Sequence, residues 1–362
     1  MAPTDDSRDD SQAPEDAVAL DLSAGTNFVP PSVITPSLLS GASYTHFSPV
    51  PPALLPTGPN APGPACCLGV DEAGRGPVLG PMVYGVFYLP AAQADALLRA
   101  RAHRFDDSKV LSPAFRAALM ATLCAPSTPL HAACGWATAA LSARDIGAGM
   151  LRPAGAAGHN LNAQALDATA ALVRGVLDRG VNVRAVFVDT VGPPAAYQRK
   201  LERLFPGVEV TVAKKADSLY PCVSAASVCA KVTRDVALEV LYAHRGGRPA
   251  GAEAEAEEEG AGEAEEPGWG SGYPSDGRCV AWMRRNMHPV FGWGPECRFS
   301  WGTAKDMLEA KANGGVKVEW PVDDDDENGR MTDFFVAGGD EREKDADELG
   351  AWFGTPVGLE AF

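Results

Sequence analysis

Four acidic residues stand where an α/β protein most often places reactive side chains. Asp71 and Glu72 follow a short apolar run, Asp189 ends another, and Asp217 comes shortly before a long helical pattern. Because strand ends expose side chains beside a rigid sheet, acids at such positions can converge on one site. Successive strand residues point to opposite faces, so Asp71 and Glu72 share a site only if the chain turns sharply after Asp71. Residues 73–77 (Ala-Gly-Arg-Gly-Pro) have the composition of such a turn, since glycine tolerates a positive φ.

A set of carboxylates without His or Cys favours hard cations bound through oxygen, which means Mg²⁺ or Mn²⁺. Two such ions about 3.5–4 Å apart activate a water and stabilise the leaving oxygen of a phosphodiester. Basic residues that could hold phosphates flank the acids: Arg75, Lys109, Lys214, Lys215, Lys231 and Arg234. Taken singly, each acid could equally be a helix cap or a solvated turn residue. Taken together, they predict metal-dependent chemistry on phosphodiesters.

The distribution of charge decides whether nucleic acid is an acceptable partner. The chain has 362 residues and a formal net charge of −16, which argues against phosphate binding if the charge is evenly spread. Three segments carry the excess of acid: 1–65 (−6), 246–271 (−7) and 311–362 (−9). The remaining 219 residues hold 24 basic and 18 acidic side chains, a net charge of +6. A mildly basic body therefore carries three acidic segments, and nucleic acid stays a possible partner.

The acidic segments also lack the periodicity of folded elements. We expect residues 1–65, rich in Pro, Ser, Ala and Thr, to be a disordered leader. Residues 246–271 are expected to be a low-complexity insertion in a surface loop, and 311–362 a largely disordered tail. The body then divides into a catalytic core, 66–245, and a C-terminal helical part, 272–310. The sequence contains no run of eighteen apolar residues, so no membrane span and no membrane partner are expected.

Strand-like and helix-like segments alternate along the body, as is typical of an α/β domain with a mixed central sheet. Strands are predicted at 66–70, 82–89, 131–140, 184–188 and 208–212. Helices are predicted at 91–104, 113–123, 161–177, 195–204, 222–242, 279–286 and 303–310. Ser112 is expected to cap the second helix, with Pro113 at its first position. The small residues from Ser224 to Ala230 predict close packing of the long helix on the sheet, which would set the distance of Asp217 from the other acids.

Seven blocks of the body, in order, resemble those of the type 2 ribonucleases H. The first is Val70-Asp71-Glu72-Ala73-Gly74-Arg75-Gly76-Pro77-Val78-Leu79-Gly80-Pro81, and the others are 107–109, 186–190, 216–221, 224–232, 270–276 and 299–301. The resemblance implies the ribonuclease H-like α/β fold, a mixed central β-sheet flanked by helices, with a C-terminal helical extension. The residues at 189–192 and 271–274 are more similar to the catalytic subunit of the eukaryotic heterotrimers than to the bacterial single-chain enzymes.

The same resemblance implies an endonuclease that cleaves RNA in RNA/DNA hybrids, and cleaves 5′ of single ribonucleotides embedded in duplex DNA. It implies two-metal-ion hydrolysis that leaves a 3′-hydroxyl, with Mg²⁺ as the cofactor and Mn²⁺ as a substitute. It further implies two accessory subunits, a role in ribonucleotide removal during DNA replication and repair, and a nuclear location. The metal-binding acids of the family match Asp71, Glu72, Asp189 and Asp217, the four already selected by position.

Substrate contacts of the family also have matching residues here. Gly74, Arg75 and Gly76 match the loop whose backbone recognises the 2′-hydroxyl at the RNA–DNA junction. Glycines let this backbone approach the sugar, and the 2′-hydroxyl is the group that distinguishes RNA from DNA. Tyr273 matches the tyrosine that packs on the junction sugar. Expected phosphate contacts are Lys109, Asn160, Arg234 and Thr303, each with ordinary capping or solvation as the alternative. The acidic 246–271 insertion directly precedes Tyr273, and we expect it to project away from the groove rather than repel phosphate.

Some functions remain open on the sequence alone. Residues 328–336 include Met331, Phe334 and Phe335, which resemble a sliding-clamp peptide box in which Asn328 replaces the preferred Gln. The alternatives are an apolar spot in a disordered tail and contact with an accessory subunit. For the whole chain, the alternatives to a ribonuclease are a hybrid-binding scaffold whose catalysis lies elsewhere, and another metal nuclease of the same broad fold, such as a resolvase or transposase.

Overall fold

A computed structural model describes residues 28–58, 61–100, 105, 111–152, 159–190, 192–245 and 268–310. The strands are β1 (Tyr44–Phe47), β2 (Cys66–Ala73), β3 (Met82–Pro90), β4 (Gly135–Leu141), β5 (Val183–Asp189) and β6 (Glu209–Ala213). The helices are α1 (Thr35–Leu39), α2 (Ala94–Leu98), α3 (Pro113–Cys124), α4 (Pro129–Ala133), α5 (Ala143–Met150), α6 (Leu161–Asp178), α7 (Pro194–Leu204), α8 (Ala216–Leu219), α9 (Pro221–His244), α10 (Gly277–Arg285) and α11 (Gly302–Glu309).

The strands form one mixed sheet in the order β1-β4-β3-β2-β5-β6. Strands β1, β4, β3 and β2 pair antiparallel, whereas β2, β5 and β6 pair parallel. The carboxyl ends of the three parallel strands therefore meet at one edge of the sheet. The predicted α/β class, with a mixed central sheet between helices, is confirmed.

Apolar side chains cover both faces of the sheet. All nine residues of β3 are buried. From Val86 to Leu89 they alternate between two cores. One core lies against α6 and α7 and includes Val86, Val173 and Leu201. The other lies against α3 and α9 and includes Phe87 and Leu119. A third cluster joins α10 and α11 to the loop after β2, so the C-terminal helices pack beside the end of β2.

Helix α9 approaches the sheet more closely than ordinary side chains would allow. A Cβ at Gly69 of β2 would overlap the backbone of Cys222, and one at Gly85 of β3 would lie 2.6 Å from the carbonyl oxygen of Ala226. Ser224 and Ala230 are both fully buried in this contact. The predicted close packing of the small-residue stretch is confirmed, and it fixes the start of α9 against the strand that carries Asp71.

Two predicted elements differ from the structure. The strand predicted at 131–140 begins only at Gly135, because Thr128 accepts a hydrogen bond from the N–H of His131 and starts the helix Pro129–Ala133. The helix predicted at 91–104 is a 3₁₀ turn, Ala91–Gln93, followed by the short α2, and residues 101–104 lie outside the described part. The cap of α3 by Ser112 is confirmed.

The prediction of a disordered leader through residue 65 is wrong for the described residues from 28 onward. Strand β1 pairs with β4 at the sheet edge, and the Ser32 hydroxyl lies 2.7 Å from that of Thr233 on α9. Leu38 and Leu54 are buried, so the segment gains enough apolar contact to fold. Residues 1–27 lie outside the described residues.

The other two acidic segments, 246–271 and 311–362, differ less from their predicted bounds. Of the 246–271 insertion, residues 268–271 are described, and they belong to the folded body because Trp269 packs on Trp282 and Tyr242. Residues 246–267 and the tail 311–362 lie outside the described residues. None of the described helices is long and apolar enough to cross a membrane.

Candidate active site

Two carboxylates meet where β2 and β5 run side by side. Val70 of β2 lies opposite Val188 of β5 in parallel register, so Asp71 and Asp189 are the next residues on neighbouring strands. Side chains at equivalent positions of adjacent strands share a face. Asp71 is only 6% exposed. The register of two parallel strands therefore places two acids together at the carboxyl edge of the sheet.

Burial dominates the electrostatics of Asp71. Desolvation is the largest cause and the charge of Asp189 adds to it; the pKa of the Asp71 carboxyl is raised to about 7. The Ser227 hydroxyl, the backbone N–H of Glu72 at 2.7 Å and the Lys231 ammonium act in the opposite direction on this pKa. The charged form of Asp71 is thus poorly compensated by the protein, and a bound cation would stabilise it.

Asp217 is brought to the same edge by an unusual turn. Lys215 has φ +57°, a left-handed conformation that costs a non-glycine residue roughly 1 kcal/mol or more. The turn directs the N–H of Ala216 to the Asp189 carboxylate at 2.8 Å and starts α8, whose first turn contains the buried Asp217. The strained turn at Lys215 therefore directs the chain from the end of β6 to Asp189, the partner of Asp71.

Glu72 faces the other side of the sheet. Strand β2 continues to Ala73, and the chain turns at Gly74, which has φ +80°. The turn predicted within residues 73–77 is present, but it begins only after the ladder with β3 ends at Ala73, so it does not bring Glu72 to the face of Asp71. Glu72 and Asp189 nevertheless line one cavity. Asp189, at the strand end, is the acid that links the two faces.

The donors suit a hard cation in type but are not assembled into a closed site. Among the described residues, no group of three His, Cys, Asp or Glu side chains is close enough to hold a metal ion. The carboxylate oxygens of the four acids match the preference of Mg²⁺ and Mn²⁺. Asp71 is buried next to Asp189, and burial first and the Asp189 charge second disfavour its ionised form. A divalent cation would compensate this charge, so the residues present fit such an ion.

Glycines and an aromatic ring form a shallow surface beside these acids. Tyr273, 39% exposed, packs on Gly76, where a Cβ would lie 3.1 Å from its ring. The N–H of Val78 donates to the carbonyl of Gly272 at 2.9 Å, which ties the loop after β2 to the segment of Tyr273. The structure thus brings the predicted Gly74–Gly76 loop and Tyr273 into contact.

Three of the four residues predicted to contact phosphate are described, and they lie in different environments. Arg234 is buried, and its guanidinium donates hydrogen bonds to the Ser271 carbonyl and to Asp235. It therefore holds the segment that precedes Tyr273, and the expectation that it contacts phosphate is not supported. Asn160 caps α6 by accepting from the N–H of Ala163, as the capping alternative predicted. Thr303 is half-buried in the first turn of α11. Lys109 lies outside the described residues.

Sequence reasoning missed residues that line the cavity or hold its loop. Asn162 accepts a hydrogen bond from the Arg75 guanidinium at 2.6 Å, and Lys200 of α7 lines the same cavity. Arg298 and Trp301 donate hydrogen bonds to carbonyls of the loop after β2. Only Trp301 belonged to one of the seven blocks, and Arg298 directly precedes that block.

A mixed sheet of this order, with acids at the edge of its parallel strands, defines the ribonuclease H-like class of folds. Residues 68–304 match the model of the Ribonuclease HII family, and the chain belongs to that family. It is therefore a type 2 ribonuclease H, a hydrolase with ribonuclease H activity.

Relatives in sequence and structure support this assignment. A subunit of Ribonuclease H2 from Neurospora crassa is 59% identical over 335 residues, covering 92% of this chain and 97% of that protein. The corresponding Ribonuclease H2 subunit from Homo sapiens is 40% identical over 271 residues, covering 75% and 82%. The crystal structure of the ribonuclease H2 from Pyrococcus horikoshii OT3 has a TM-score of 0.52 and 27% identity, covering 67% of this chain and 97% of that one.

Proposed function

We propose that this chain is the catalytic subunit of a heterotrimeric type 2 ribonuclease H. It cleaves RNA in RNA/DNA hybrids and cuts 5′ of single ribonucleotides in duplex DNA, leaving a 3′-hydroxyl. The observation that carries the proposal is the position of the Gly74–Gly76 loop and Tyr273 at the end of the strand that bears Asp71. Reactive acids and a surface that can approach a sugar thus share one edge of the sheet.

The four acids would hold Mg²⁺, or Mn²⁺ in its place, and two-metal-ion hydrolysis is part of the proposal. Such ions, when bound, supply an activated water and stabilise the leaving oxygen. Burial and the Asp189 charge favour cation uptake at Asp71. The Ala216 N–H orients Asp189, while Arg75 and Lys200, which line the cavity with Glu72, provide positive charge for the phosphates.

Removing the two adjacent acids tests catalysis separately from binding. We expect Asp71→Asn with Asp189→Asn to abolish cleavage of a hybrid in Mg²⁺ and to preserve hybrid binding, because both changes keep the shape of the side chain. Asp178→Asn, at the exposed end of α6, is the matched control and should cleave normally. Undiminished cleavage by the double variant would favour the scaffold alternative.

Discrimination of the junction is assigned to Tyr273. Its ring packs beside Gly76 and is 39% exposed, so a sugar could stack on the exposed part of the ring next to the glycine backbone. We expect Tyr273→Ala to reduce kcat/KM at single ribonucleotides roughly tenfold more than in long hybrids, on the scale of one stacking contact. Phe291→Ala, which removes an exposed ring elsewhere, should affect neither substrate. Equal losses on both substrates would contradict the assignment.

Partners and location are also proposals. The relatives are named as one subunit of Ribonuclease H2, which implies a complex of several subunits, and we propose two accessory subunits for this chain.

Residues 328–336 lie outside the described residues. We propose that they contact an accessory subunit, with a sliding clamp bound through Met331, Phe334 and Phe335 as the alternative. Amide exchange at 328–336 should slow when the accessory subunits are added, and an unchanged rate would contradict that contact. A nuclear role in ribonucleotide removal during replication and repair follows from the proposed substrate.

A further inference from the structure

Arg298 is a completely buried arginine whose guanidinium serves one loop. It donates to the carbonyl oxygens of Gly74 at 2.6 Å, Arg75 at 2.9 Å and Gly80 at 3.1 Å. Its backbone N–H donates to the carbonyl of Val78 at 2.9 Å. One residue of the C-terminal part therefore anchors both ends of the loop between β2 and β3.

Trp301 extends this anchor by one residue. Its indole N–H donates to the carbonyl of Gly76 at 3.0 Å, and its ring lies 4.8 Å from the Arg298 guanidinium. The carbonyls of Gly74, Arg75 and Gly76 thus all bind the segment 298–301.

Fixing a carbonyl also fixes the N–H of the next residue, because the peptide unit is planar and trans, with C=O and N–H on opposite sides. The carbonyls of Gly74 and Arg75 point to Arg298, so the N–H groups of Arg75 and Gly76 point away from it. Gly76 is exposed, and Tyr273 packs beside it. Two backbone donors are thereby oriented by a side chain that does not itself reach the surface.

Stability does not explain a charge at this position. Among the described residues, Arg298 has no ion pair, and its charge is met by carbonyl dipoles and the Trp301 ring. Burying an unpaired charge is costly, and an apolar side chain of similar volume often stabilises such a site. What the guanidinium supplies instead is a rigid fork that holds several acceptors in fixed geometry.

We propose that Arg298, together with Trp301, is the positioning residue for ribonucleotide recognition. It holds the Gly74–Gly76 loop so that its N–H groups face the 2′-hydroxyl of the substrate. The proposal rests on the proposed function, in which this loop distinguishes RNA from DNA.

Binding without cleavage tests this role. In chelator, with no metal, the affinity of the full chain is measured for one duplex containing a single ribonucleotide and for the all-DNA duplex of the same sequence. We expect the wild-type chain to prefer the ribonucleotide duplex and Arg298→Gln to lose about tenfold of that preference, the value of a charge-assisted hydrogen bond network. Arg298→Lys should restore part of the preference, because one ammonium cannot reach all three carbonyls. Affinity for the all-DNA duplex should change little.

Arg245→Gln is the matched control. Arg245 pairs with Glu296 at 2.8 Å in the same part of the fold, and this change should lower stability without altering the preference. Trp301→Phe removes only the hydrogen bond to the Gly76 carbonyl, and we expect it to lose about threefold of the preference for the ribonucleotide duplex. If Arg298→Gln does not fold, the Trp301→Phe variant tests the proposal. A folded Arg298 or Trp301 variant with wild-type preference would overturn the proposal. A wild-type chain with no preference would instead overturn the proposed substrate.

Discussion

At the scale of single residues, the buried carboxyl of Asp71 makes the stability of the metal-free chain depend on pH. Folding buries its carboxyl beside Asp189, and the pKa rises to about 7 from an ordinary value of 3.8. Between these two values the folded chain holds a proton that the unfolded chain has released. The free energy of unfolding contributed by this group therefore falls as pH rises through that window.

Asp71→Asn should accordingly stabilise the metal-free chain at high pH. We expect the variant and the wild type to be similar near pH 4, and the variant to be more stable at pH 8, by at most about 4 kcal/mol. Denaturant unfolding in chelator at both pH values measures this difference, and added Mg²⁺ should narrow it by stabilising only the wild type. A variant that is less stable than the wild type at pH 8 would contradict the assigned pKa.

The four acids could be chosen as candidates from the sequence because each stands beside a local pattern, either an apolar run or a helix start. Their orientations could not be predicted. Asp71 and Glu72 stay on opposite faces because β2 keeps its ladder with β3 as far as Ala73, and the turn that begins at Gly74 is held by Arg298 through the loop carbonyls. Both causes involve contacts between residues far apart in sequence.

At the scale of elements, the contact of α9 with β2 and β3 holds together the edge of the sheet that carries Asp71. We expect Gly69→Ala to destabilise the fold by about 3 kcal/mol and to reduce cleavage, because the new methyl group would overlap the Cys222 backbone and separate α9 from the strand of Asp71.

Gly147→Ala is the control for this change. A Cβ at Gly147 meets no atom within 4 Å, and the residue lies in α5, so alanine should stabilise the helix by up to about 1 kcal/mol. Thermal unfolding and hydrolysis assays of both variants give the comparison. Similar effects of the two substitutions would show that the close contact is unimportant.

Long elements with a clear period were predictable, and short ones were not. Helices α6 and α9 lie within a few residues of their predicted bounds, since their apolar residues repeat at helical spacing. Strand β1 has four residues and is stabilised by pairing with β4, about ninety residues later in the chain. Its signal is tertiary, and local composition instead suggested disorder.

At the scale of the whole molecule, the residues from 28 to 58 belong to the enzyme fold. Deleting residues 1–58 should lower the melting temperature by roughly 10 °C or more, because it removes the buried Leu38 and Leu54 and exposes the edge of β4. Deleting residues 1–27 removes none of the described contacts and is the control. Equal melting temperatures for the two truncated chains would restore the interpretation of the whole segment as a disordered leader.

The charge of the whole chain is a poor guide to its partner. The negative charge is concentrated in three segments, while residues 66–245 and 272–310, which contain strands β2 to β6 and the four acids, carry +6. The sequence showed this separation, because charge can be counted locally. The same count could not show that Trp269, inside the acidic segment 246–271, is a core residue.

Incision of a duplex DNA containing one ribonucleotide is the most direct test. With Mg²⁺ and the accessory subunits present, the wild-type chain should cut once, 5′ of the ribonucleotide, leave a 3′-hydroxyl and spare the all-DNA duplex. The complex with Asp71→Asn and Asp189→Asn should not cut. Equal cutting of both duplexes by the wild type, or normal incision by the double variant, would contradict a ribonucleotide-directed active site at this edge of the sheet.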